Sequence, residues 1–86
     1  MKYSAIFYRD IFKEVFELSD DYDFTSLEYT SIDEWDSIGH MSLMGELEEK
    51  FKINIKTEDL IQFQSFTQGV EILKLYDIVI DLSELS

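Results

Sequence analysis

Between Ser37 and Phe51 the chain sets His40, Leu43, Met44, Leu47 and Phe51 at the i, i+3, i+4, i+7 spacing of one helical face. No other pattern restricts the fold as much, because a face this regular must be covered and the chain has only 86 residues to cover it with. A chain of that length makes one small domain that buries only a little over ~60% of its unfolded surface. With no cysteine there is no disulfide and no thiolate zinc site to staple it. The covering elements must therefore pack by shape alone.

Two such elements are legible. From about Ser4 to Leu18, apolar residues recur at Phe7, Ile11, Val15 and Leu18, with Tyr8, Phe12 and Phe16 one position over, which predicts a core-facing first helix. Ser65 and Gln68 make the Ser-x-x-Gln form of a capping box, and Phe66, Val70, Leu73 and Tyr76 follow at helical spacing. Between these, Thr57-Glu58-Asp59-Leu60 reads as an N-cap with acids in the first turn of a short helix. Residues 19 to 36 have no sustained period, yet Tyr22, Phe24, Leu27, Ile32 and Trp35 are spaced as if to pin a long loop to a core. The apolar tail from Ile78 onward can extend the last helix, form an edge strand or cover the core. An all-α bundle is the simplest architecture.

The second helix carries a further row, Ile38, Met41 and Gly45, that cannot face the same core as Leu43 and Leu47. Ile38 and Met41 are either covered by the long loop or exposed for partners. Gly45 costs about 1 kcal/mol against alanine in a helix, which predicts close approach of a neighbour. At the helix start, Asp36 and Ser37 are both residue types that cap helices. A phosphate ester on Ser37 would also sit well there, facing unpaired N–H groups and the positive end of the dipole. His40 follows Ser37 at i+3, but no Gly-x-Ser-x-Gly elbow surrounds the serine, so a hydrolase pair is the weaker reading.

Charge narrows the partners. The net charge is −12, from 19 acids against 7 bases, a field that repels nucleic acid and anionic membrane and favours basic partners. From Asp10 to Asp36 the acids face only Lys13. An EF-hand loop starting at Asp21 would need glycine and glutamate where Ser26 and Ile32 stand, so calcium binding of that type is not expected. No apolar run approaches the ~20 residues of a membrane span. A cytoplasmic protein is the default expectation.

Asp36-Ser37-Ile38, then Met41, Leu43, Leu47-Glu48-Glu49, Phe51 and Ile55, resembles the acyl carrier protein pattern, an Asp-Ser-Leu signature followed by a Leu-Glu-Glu-x-Phe helix end. The resemblance runs from about Ser4 to Tyr76. It implies a four-helix bundle of acyl-carrier type with a long first loop and a short third helix. Residues 1–86 would then be one carrier domain, its core about 4–76 and its extension 77–86. The resemblance further implies that a phosphopantetheinyl transferase moves 4′-phosphopantetheine from coenzyme A onto Ser37, with Asp36 arranging the metal-bound phosphate during transfer. The arm would carry an acyl or aminoacyl group as a thioester, in a non-catalytic monomer. Ile38, Met41, Glu48 and Glu49 would meet apolar and basic patches on the loading and transferring enzymes. The alternative is an unmodified helical adaptor that binds partners through its acidic surface, Ile38 and Met41. The chain departs from the housekeeping pattern at Trp35, Gly39, His40 and Ser42, where different partners are expected to be encoded.

Overall fold

A computed structural model describes residues 1–85. Most of it is helix: α1 (Ala5–Phe16), α2 (Ser37–Phe51), α3 (Thr57–Gln62) and α4 (Phe66–Lys74). Three of the four start on a side chain that accepts one of the amides orphaned in a first turn. Ser4 Oγ accepts from Phe7 N–H at 3.0 Å, Asp36 Oδ1 from Gly39 N–H at 2.8 Å and Ser65 Oγ from Gln68 N–H at 3.0 Å. The expected return bond of the last box is displaced by one residue, since Gln68 accepts from Gln64 N–H at 3.3 Å. In α3 the expected Thr57 cap is not formed: Thr57 is already helical, Lys56 flanks it, and Glu58 and Asp59 occupy the first turn. The first two helices end alike, with Glu17 and Lys52 in the left-handed region at φ 54° and 57°. The following amides, Leu18 and Ile53, then bond back to Lys13 and Glu48 carbonyls at 3.0 and 3.1 Å. This turn stops α1 at Phe16, two residues before the expected end.

The core forms where these faces meet. From α2 come the expected His40, Leu43, Met44, Leu47 and Phe51, all buried. On α1 the deep row is Tyr8, Phe12 and Phe16 with Ile11, whereas Phe7 is 37% exposed and Val15 and Leu18 are half-buried. The stripe is thus rotated toward the aromatic row, which packs tilted or edge-on against Phe66 and stacks on Trp35 through Phe16. Tyr8 is tolerated at zero exposure because its hydroxyl donates to the Phe66 carbonyl at 2.7 Å. The same burial pushes its pKa well above the usual tyrosine value. Gly69 lets α4 come this close: a Cβ there would lie 2.2 Å from Phe63 Cζ and 2.3 Å from the Tyr8 hydroxyl.

The long loop is ordered by anchors. Phe24, Leu27 and Trp35 are buried, while Tyr22, Tyr29 and Ile32 pack half-buried against the core. Backbone bonds from Tyr29 N–H to Gln64 O (2.8 Å) and from Phe66 N–H to Leu27 O (3.0 Å) tie it to the start of α4. The tail takes two of its three open options. Strand β2 (Val79–Ile80) pairs in parallel with β1 (Lys2–Tyr3), an addition to the all-α expectation. A 3₁₀ turn at Leu82–Leu85 then lies along α1, and Glu84 Oε1 accepts from Ala5 N–H at 2.7 Å. Ile78 and Ile80 are buried with the helices. The core therefore continues beyond Tyr76.

Candidate functional site

The loop enters α2 through a fixed corner. Trp35 has no exposed surface, stacks on Phe16 with ring centroids 5.3 Å apart, and donates Nε1–H to His40 Nδ1 at 2.9 Å. The other ring nitrogen of His40 lies 2.9 Å from the Leu60 carbonyl. Because Nδ1 accepts from tryptophan and a carbonyl accepts only, both bonds are satisfied by the neutral tautomer with its proton on Nε2. Gly39 completes the corner, since a Cβ there would stand 1.9 Å from the Glu34 carbonyl oxygen. Trp35, Gly39 and His40 are therefore spent on holding the loop against α2. They do not present side chains to partners, which corrects the expectation placed on them; among those four departures Ser42 alone is on the surface.

At the corner, Asp36 is the cap and Ser37 is the first helical residue. The Ser37 side chain is exposed, and its hydroxyl has no hydrogen-bond partner among the described residues. A hydrolase would need His40 beside it, and both nitrogens of that ring are already committed to Trp35 and Leu60. Ser37 instead offers an unhindered hydroxyl at the positive end of a helix of 15 residues.

Beside the serine, Ile38 is 77% and Met41 57% exposed, so the loop does not cover them. Ile61, which sequence reasoning missed, is 62% exposed on α3. The His40–Leu60 bond docks α3 to the first turn of α2, and Ile61 is the next residue. The only sequence signal for it was a second apolar residue, next to the half-buried Leu60, on a very short helix. Tyr76 holds α3 from the other side, donating to Asp59 Oδ2 at 2.6 Å and accepting from Lys56 N–H at 2.8 Å. Partial desolvation, with the Asp59 bond adding to it, raises the Tyr76 pKa.

The two expected acidic contacts separate. Glu49 is exposed, but Glu48 is half-buried and accepts from Ile55 N–H at 2.8 Å, so it fixes the turn after α2. Gly45 also departs from expectation. Nothing lies within 4 Å of a Cβ built on it, so no part of the described chain makes the close approach its presence suggested. It opens instead onto a groove of about 600 Å³ between α1 and α2.

Among the described residues, no group of three acidic or histidine side chains is placed to hold a metal ion, and no helix is long and apolar enough to cross a membrane. Comparison with protein-family models, curated proteins and solved structures returned no match.

Proposed function

We propose that the chain is a carrier of acyl-carrier type, in which Ser37 Oγ bears a 4′-phosphopantetheine arm and the helix surface at Ile38 and Met41 receives the enzymes that load and unload it. The observation that carries this reading is the division of labour at the helix start. Asp36 Oδ1 takes the capping bond from Gly39, which leaves the neighbouring Ser37 hydroxyl exposed and without a partner among the described residues. A serine that served only as a cap would spend its oxygen on the backbone. The order of elements, a long anchored loop before the serine helix and a short third helix after it, supports the same reading.

The residues present suit a phosphodiester. The Ser37 oxygen is accessible, and the helix dipole favours negative charge beside it. Asp33, Glu34 and Asp36, all exposed, oppose it, but in water two unit charges at 4 Å repel by only about 1 kcal/mol. A covalent ester tolerates that. The repulsion also discourages the arm from lying down on the loop, which suits a group that must reach other enzymes. When bound, the arm supplies the thiol that this cysteine-free chain lacks. In the transfer, the Ser37 Oγ–P bond would form as the pyrophosphate bond of coenzyme A breaks, the nucleotide half being the leaving group and the serine proton passing to the transferase, and Asp36 Oδ2, which the cap does not use, would help to hold the metal-bound phosphate.

Incubation of the purified chain with coenzyme A and a promiscuous phosphopantetheinyl transferase should add the mass of one arm, and Ser37→Ala should add none. Absence of the adduct across several transferases would overturn the carrier reading in favour of the adaptor, for which Ser37→Ala leaves partner binding intact.

A further inference from the structure

Histidine is the side chain that ordinarily changes charge between about pH 5 and 8, and among the described residues His40 is the one buried side chain of that kind. Its ring is held from both sides. Nδ1 accepts from Trp35 Nε1–H and Nε2–H donates to the Leu60 carbonyl, each at 2.9 Å. The two bonds respond oppositely to a proton. Added at Nδ1, it turns an acceptor into a second donor facing an indole N–H that has no lone pair to offer. On the other side, the N–H of a charged imidazolium makes a stronger bond to a carbonyl than the neutral ring does. Protonation therefore breaks the hold on the loop and tightens the hold on α3.

No other group at the ring can take the place of the indole. Trp35 and Tyr29 of the loop and Phe63 beyond α3 face it with their rings, and Tyr29 is the one titratable residue among them. On the elements packed there, the carboxylates of Asp36 and Asp59 accept from Gly39 N–H and the Tyr76 hydroxyl. Glu28, Asp33, Glu34, Lys56 and Glu58 are exposed. The net charge of −12 attracts a proton from a distance, but it supplies no acceptor for the new N–H.

We propose that His40 is a proton-operated latch on the end of the long loop: neutral, it holds Trp35 against the first turn of α2; protonated, it releases Trp35 and keeps α3. The proton and the indole compete for one lone pair, so the latch closes as pH rises and opens as pH falls. Trp35 has no exposed surface, and an indole N–H stripped of its acceptor in the core is costly, so the side chain moves until water reaches it. The turn before it moves along. Thr30 N–H bonds to the Trp35 carbonyl at 2.9 Å and Trp35 N–H to the Ile32 carbonyl at 3.2 Å, which makes residues 30–35 one closed piece. That piece runs directly into Asp36, the cap of α2, and Ser37. The same proton therefore loosens the mount of the exposed serine, whatever the serine carries.

The chain has one tryptophan and one histidine, so each reports on the latch by itself. In the full-length unmodified chain, taken from about pH 8 to pH 5, the ring shifts of His40 and the indole N–H shift of Trp35 should change together with one midpoint. Tryptophan emission should move to the red over the same range while the far-ultraviolet circular dichroism of the helices holds. His40→Asn sets a carbonyl that does not titrate close to the place of Nδ1, and its emission should stay where it is across the range. Ser37→Ala should titrate as the wild type does. An imidazole that gains its proton while the indole N–H and the emission stay unchanged would overturn the proposal. So would a ring that stays neutral down to the lower pH, a red shift that persists in His40→Asn, or helix signal lost in step with the emission, which is unfolding of the whole chain. If His40→Asn does not fold, the coincidence of the two wild-type titrations decides alone. Failure of the carrier reading looks different, as a chain that no transferase modifies but whose latch still titrates.

Discussion

At the scale of single residues, the three glycines separate what a sequence announces from what only packing decides. All lie in helices, where each costs about 1 kcal/mol against alanine. The sequence pointed to Gly45 as the close approach, but the close approaches are at Gly39 and Gly69, beneath a loop carbonyl and an aromatic ring. Which glycine has a neighbour depends on where residues 34 and 63 are carried by tertiary structure, and no local spacing encodes that. Gly39→Ala should therefore destabilise the chain by about 1–3 kcal/mol despite its better helix propensity, because its methyl must push the Glu34 carbonyl away. Urea denaturation measures this, and an unchanged or raised midpoint would show that the carbonyl yields freely. The Trp35–His40 bond beside Gly39 belongs to the same lesson. A tryptophan and a histidine flanking a serine invite a functional reading, but buried donors and acceptors are first of all each other's partners.

At the scale of elements, the helices were the readable part, because amphipathic spacing and side-chain caps are local. Ser4, Asp36 and Ser65 start their helices where short polar residues precede apolar periodicity, and the buried face of α2 is the one its spacing specified. The tail was not readable. Its alternation fits more than one conformation, and its role is set by contacts far away in sequence: β2 pairs with the N-terminus, and Glu84 supplies α1 with the acidic acceptor that its own first turn lacks. Burial of Ile78 and Ile80 contributes roughly 3–6 kcal/mol between them, a large share of the ~5–15 kcal/mol by which domains are stable. A chain ending at Tyr76 should accordingly lose its cooperative thermal transition, or melt far lower, when followed by circular dichroism. Melting equal to that of the full chain would mean that the segment is an appendage and that the helices suffice.

At the scale of the whole molecule, charge is the dominant unbalanced quantity. A net −12 is confined to a body of 28 × 28 × 18 Å. At 0.01 M salt the Debye length, about 30 Å, spans that entire body, so every carboxylate feels the others; at 0.15 M it falls to about 8 Å and distant repulsion is screened. The attractions that salt would also weaken are few: among the described residues the ion pairs involve only Arg9, Lys13 and Lys74, each with a carboxylate that is substantially exposed, and pairs of this kind contribute little. Repulsion should win, so raising salt from 0.01 to 0.15 M at neutral pH should raise the melting temperature. Relief of about 1 kcal/mol corresponds to roughly 4–8 °C for a domain of this size. Association with a basic partner must respond in the opposite sense, because the same field that strains the isolated chain steers an oppositely charged one toward it and is screened by the same ions. Melting and the on-rate of a short arginine-rich peptide, a simple basic probe, measured over one salt series, should therefore move in opposite directions. If both fell with salt, the few ion pairs would outweigh the repulsion; if the on-rate did not fall, the acidic surface would not be what brings partners in.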